Sequence, residues 1–114
     1  MTNQTNPDEH NGHTNFETWV FWAHVTQTER LLEDALAIAR PLVAQDYHPA
    51  VVGDEVIRRF KEWATTTLEL YTSDNGIDGF DEARMMVQDV GSWWRIDDAS
   101  IGRHLTEYVK EAAA

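Results

Sequence analysis

The chain has 114 residues, no cysteine, and twenty acids against nine bases, a formal net charge of −11. That length suits one domain, and the missing cysteine excludes disulfides, cysteine zinc sites and thiol catalysis. The acidic balance disfavours direct binding to nucleic acid or to an anionic membrane surface, where a basic footprint is expected. It favours instead a partner with a basic surface, because complementary charge speeds encounter. No run approaches a membrane span, and the N-terminus lacks the positive-then-apolar order of a signal peptide, so a cytoplasmic location is expected.

Residues 1–13 are polar and cannot bury enough apolar surface to offset the entropy of ordering. A disordered tail over 1–13 and a helical domain over 14–112 are therefore expected. His10 and His13 stand three apart in that tail without further ligands, so neither a metal site nor a cofactor is predicted.

The densest aromatic stretch follows, Asn15-Phe16-Glu17-Thr18-Trp19 running on to Val20-Phe21-Trp22-Ala23. Thr14 and Glu17 have the spacing of a capping box, with Asn15 as the alternative cap. A first helix is predicted over 15–25. Phe16, Trp19, Val20 and Ala23 share one face, and Phe21, Trp22 and Val25 widen it. This reads as the central, core-forming helix, with one or two aromatics available as a docking surface. Thr26-Gln27-Thr28-Glu29 should interrupt it.

The second helix carries Leu31, Leu32, Ala35, Leu36, Ala39, Leu42 and Val43 at helical spacing. Pro41 should kink or end it near Arg40, with one further helical turn beyond as the alternative. Residues 46–53, with His48-Pro49 and Gly53, read as a loop, and Asp54 as the cap of a third helix. That helix has the cleanest amphipathic pattern, with Val56, Ile57, Phe60, Trp63, Ala64, Thr67, Leu68 and Tyr71 on one face. Its outer face mixes Glu55, Arg58, Arg59, Lys61, Glu62 and Glu69.

A loop over 72–79 opens like a calcium loop at Asp74, but position twelve is Met85 rather than Glu. An Asp/Gly-rich turn is the better reading. A fourth helix is predicted over 80–90, with Phe80, Ala83, Val87 and either Val90 or Met86 inward and Gly91 ending it. After the connector Ser92-Trp93-Trp94-Arg95-Ile96, Asp97 or Asp98 should cap a last helix with Ile101, Leu105, Tyr108 and Val109 buried. Gly102 inside it either weakens the helix or permits close packing. The fold class expected is all-α, four or five helices in a single small domain.

Chemistry is thinly signalled. His24 and His104, on the first and last helices, could meet in space but have no nucleophile beside them in the pattern. No phosphate loop, nucleophile elbow or metalloprotease box is present, and no enzyme activity or catalytic residue is expected. Acids concentrate over residues 74–98: Asp74, Asp78, Asp81, Glu82, Asp89, Asp97 and Asp98 against Arg84 and Arg95. Trp93 and Trp94 lie in the same span, and consecutive tryptophans rarely both point inward. The candidate partner-binding set is accordingly Asp74, Asp78, Asp81, Glu82, Asp89, Trp93 and Trp94, with caps and core as the alternative roles for these residues.

The stretch Asn15-Phe16-Glu17-Thr18-Trp19 resembles the opening of a group of small uncharacterised proteins of bacteriophages, plasmids and related mobile elements. Trp94-Arg95-Ile96 is similar to a tryptophan and Ile-containing helix start in the C-terminal part of that group. Thr26-Gln27-Thr28 stands where the group has Asn and Asp. The resemblance implies Asn15, Phe16, Glu17, Thr18, Trp19 and Trp22 as signature and core residues. It also implies a setting, a small accessory protein in the host cytoplasm, but no activity. Such a protein is expected to bind and block a basic host protein, with residues 74–98 as the candidate for partial DNA mimicry. The alternative is a structural module that forms a homodimer through exposed aromatics.

Overall fold

Asn15 holds an extended backbone, with φ −158° and ψ 178°, and its side-chain oxygen accepts from the Thr18 N–H at 2.9 Å. It is therefore the cap that starts α1, Phe16–Gln27. The computed structural model describes residues 13, 15–70 and 80–113. Within them follow α2 (Glu29–Ala44), α3 (Pro49–Leu70), α4 (Phe80–Val90), a 3-10 turn (Trp93–Arg95) and α5 (Asp98–Ala113). These form a single all-α domain. The tail expected over 1–13, apart from His13, lies outside the described residues, as do Thr14, Tyr71 and the loop expected over 72–79.

The chain leaves helix between α1 and α2 at Thr28 alone, which turns extended at φ −117° and ψ 116°. Pro41 does not end α2. It sits inside the last turn, and the helix runs on to Ala44. The end is then closed by a hydrogen-bond pair, Tyr47 N–H to the Leu42 carbonyl at 3.1 Å and Asp46 N–H to that of Val43 at 3.0 Å. Asp46 takes the left-handed conformation, φ 62°, that this Schellman closure requires.

The predicted loop over 46–53 is half helix. Pro49 opens α3, where its missing N–H costs nothing and its fixed φ fits. His48 precedes it: its carbonyl accepts from Val51 and Val52, and its Nδ1 accepts from the Ala50 N–H at 3.0 Å. Gly53 thus lies within α3, and Asp54 is a helical residue rather than a cap. Gly53 is there because α5 crosses at that point. A Cβ on Gly53 would lie 1.9 Å from the Asp98 carbonyl oxygen, and one on Gly102 would lie 1.7 Å from that of Pro49. The two helices meet backbone to backbone, so Gly102 permits close packing.

Phe21 is fully buried and packs edge-on against Phe60 and Trp93, with ring centroids 5.8 and 5.9 Å away. Val25, Val52, Val56, Met86, Ile101 and Leu105 complete the innermost layer. The buried residues of α1 are Thr18, Val20, Phe21 and Val25, so of the predicted Phe16–Trp19–Val20–Ala23 face only Val20 is buried, and the centre of the face lies with Phe21 and Val25, which were expected to widen it. Phe16 is 45% exposed, and Trp19 and Trp22 pack on the margin of the core. In α5, Ile101 and Leu105 are buried as expected, whereas Tyr108 is exposed.

Candidate functional site

The N-terminus of α1 is tied to residues about 80 positions later. Asn15 uses its oxygen for the Thr18 N–H and hydroxyl, and its Nδ2 donates to the Arg95 carbonyl at 2.8 Å. The Thr18 hydroxyl donates to Asn15 at 2.8 Å and accepts from the Asp97 N–H at 2.8 Å. Arg95 Nε donates to Glu17 Oε1 at 3.2 Å. Asn15 and Thr18 are buried, so these bonds are sheltered from competing water. The stretches Asn15–Trp19 and Trp94–Ile96 are thereby one structural unit, a polar clasp around the 3-10 turn.

The clasp fixes the orientation of the two tryptophans. Trp93 turns inward onto Phe21 and is 8% exposed. Trp94 turns outward and is 82% exposed, with the Arg95 guanidinium carbon 5.7 Å from its ring centroid. Asp97 caps α5, accepting from the Ala99 and Ser100 N–H groups at 3.1 and 3.3 Å.

Trp94 walls a shallow groove of about 270 Å³ between α3, the turn and the start of α5. Ile57, Trp93 and Ile96 supply its apolar floor, and Asp54, Arg58, Lys61 and Asp98 its charged rim. Burial, and then the charges of Asp54 and Asp97, push the Asp98 carboxyl above its ordinary value of 3.8. On α3, Glu55 bonds both Arg58 and Arg59, the latter at 2.6 Å. The Arg59 hydrogen bond and the two guanidinium charges hold the Glu55 carboxyl below its ordinary 4.5, against the opposing effect of desolvation. A second cleft, of about 190 Å³, opens between α2 and α3 over Leu31, Ile38, Phe60 and Trp63, with Asp34 and Arg59 beside them.

The candidate residues do not all gather at the groove. Asp74 and Asp78 lie outside the described residues, and Asp81 is placed in α4 without a described side chain. Glu82 is half-buried on α4. Asp89 is half-exposed and bonds His24 Nε2 at 2.9 Å, linking α4 to α1. Trp93 belongs to the core, which leaves Trp94 as the surface member of the pair. His24 and His104 have separate partners: His104 stacks on Trp22 with centroids 5.0 Å apart and meets His13 at 5.2 Å. Tyr108 stands edge-on to the same indole at 5.9 Å.

Asp54 and Asp98 enter the groove although their sequence positions read as caps. Asp98 shares the acidic span with Trp94 in sequence, but nothing in the pattern placed Asp54 beside them, because the α3–α5 crossing that does so depends on Gly53. Among the described residues no three His, Asp or Glu side chains are placed to hold a metal ion, and no helix is long and apolar enough to cross a membrane. Searches against protein-family models, curated proteins and solved structures find no match to this chain.

Proposed function

We propose that the protein is a non-enzymatic binding factor of a phage or mobile element, which attaches to a basic host protein in the cytoplasm and obstructs it. The observation that carries this reading is Trp94, a large apolar side chain 82% exposed on a turn immobilised by the clasp. An exposed indole on an anchored turn has few rotatable bonds to freeze on burial and suits the centre of a protein interface. The net charge of −11 supports a basic partner and speeds its approach. The genetic setting is supported by the resemblance of Asn15–Trp19 and Trp94–Ile96 to the phage and plasmid group.

The test is affinity capture from nuclease-treated bacterial host lysate at low and moderate salt, with identification by mass spectrometry. The expected result is a basic nucleic-acid-handling protein, retained at low salt and weakened at moderate salt. Absence of a partner at both salts, with the protein eluting as a stable dimer, would replace this reading by the self-associating module.

A further inference from the structure

The groove beside Trp94 has the parts needed to receive a cationic side chain. Its floor of Ile57, Trp93 and Ile96 is buried to within 8% and apolar, suited to an aliphatic stem. Asp54 and Asp98 present carboxylates on its rim, with Asp97 adjacent in sequence. Of the two bases there, Arg58 is bonded to Glu55, and Lys61 is exposed, on a flexible stem that can turn its ammonium into water. The Asp98 carboxyl is pushed up by burial and by its two acidic neighbours, so a positive charge brought between them relieves repulsion. The Trp94 indole already has the Arg95 guanidinium over its ring. With Trp94 82% exposed, the indole has surface to offer a second guanidinium. Arginine suits this combination better than lysine, because its planar head stacks on an aromatic face while its donors reach two carboxylates.

We propose that this groove receives an arginine side chain of the partner protein, stacked on Trp94 and paired with Asp98 and Asp54. The proposal rests on the reading that the protein acts by binding a protein partner, and its test uses a defined probe instead of that partner. The isotope-labelled full chain is titrated at low salt with blocked hexa-arginine, hexalysine and hexaglutamate, followed by NMR. Hexa-arginine should shift the Trp94 indole N–H and the amides of Ile57, Ile96 and Asp98 most. Trp94→Ala, and separately Asp54→Asn with Asp98→Asn, should each weaken binding about tenfold while the chain stays folded and melts cooperatively. Hexalysine should bind several-fold more weakly, and hexaglutamate should leave the groove unshifted. Shifts spread evenly over the acidic surface, full-strength binding by either variant, or equal binding of hexalysine would overturn the arginine site. A captured host partner with a groove silent to hexa-arginine overturns this site and spares the functional reading. A groove that responds while no partner is captured supports the site and contradicts that reading.

Discussion

Thr18 is a small, fully buried polar residue on the inner side of α1, and its hydroxyl works in both directions, donating to Asn15 and accepting from the Asp97 N–H. Thr18→Val keeps the shape and leaves that N–H without its acceptor, so it should lower stability by about 1–3 kcal/mol in denaturant unfolding. Asn15→Ala removes the cap and the bond to Arg95, and should cost about 1–2 kcal/mol. Because both act in one network, the double variant should fall short of the sum by about 1 kcal/mol; strict additivity would show that the clasp is not a unit. Asp98 behaves in the opposite sense. Its raised folded-state pKa means the native protein holds the proton more tightly than the unfolded chain. The resulting penalty is absent below the ordinary value of 3.8, grows as pH rises through the raised value, and is full at neutrality. Asp98→Asn should therefore raise the melting temperature at pH 7, by an amount that shrinks as pH falls towards 3.8. At this scale the sequence showed the residues but not their partners. The Asn15–Trp19 stretch stood out by its aromatics, which reads as core. Yet Phe16 is 45% exposed while Asn15 and Thr18 are buried, because their polar atoms are satisfied by each other and by backbone some 80 positions away, the latter beyond the reach of any local pattern.

At the scale of elements, hydrophobic period gave the helices well where one face is clearly apolar. α2 and α4 match the expected stripes, with Leu31, Ala35, Leu36 and Ala39 in one and Ala83, Met86 and Val90 in the other buried. Gly91 ends α4 in the left-handed conformation, φ 69°. Period misled for α1, which is apolar nearly all round, so its inner face could not be chosen by composition. It also failed at the start of α3, where His48-Pro49 and Gly53 are loop-like by propensity. Tertiary structure overrides that propensity, since Gly53 and Gly102 let α3 and α5 touch along their backbones. Gly53→Ala or Gly102→Ala must push the helices apart, because the obstructing atoms are carbonyl groups rather than flexible side chains. Either should destabilise by about 3 kcal/mol or more, whereas helix propensity alone predicts a gain of about 1 kcal/mol. Thermal unfolding of the two alanine variants decides between these opposite signs.

For the whole molecule, shape and charge act together. The five described helices build a frame whose backbone-to-backbone crossing of α3 and α5 and whose polar clasp both converge on the segment around Trp94. The all-α class and most helix positions were legible in the sequence; the groove was not, because it is assembled from α3, the 3-10 turn and α5. The acidic span over 74–98 is also less uniform than its composition suggests, since Asp89 is engaged by His24 and Asp97 by the start of α5. The anchor of the proposed interface is accordingly the indole, with charge setting the rate of approach. The most direct measurement is the binding kinetics of the captured host protein with the wild-type chain and with Trp94→Ala, at low and moderate salt. The association rate should fall steeply with salt for both chains. Dissociation should be at least tenfold faster for Trp94→Ala, about 1.4 kcal/mol or more. Equal dissociation from the two chains would contradict this, and would move the interface away from the Trp94 turn.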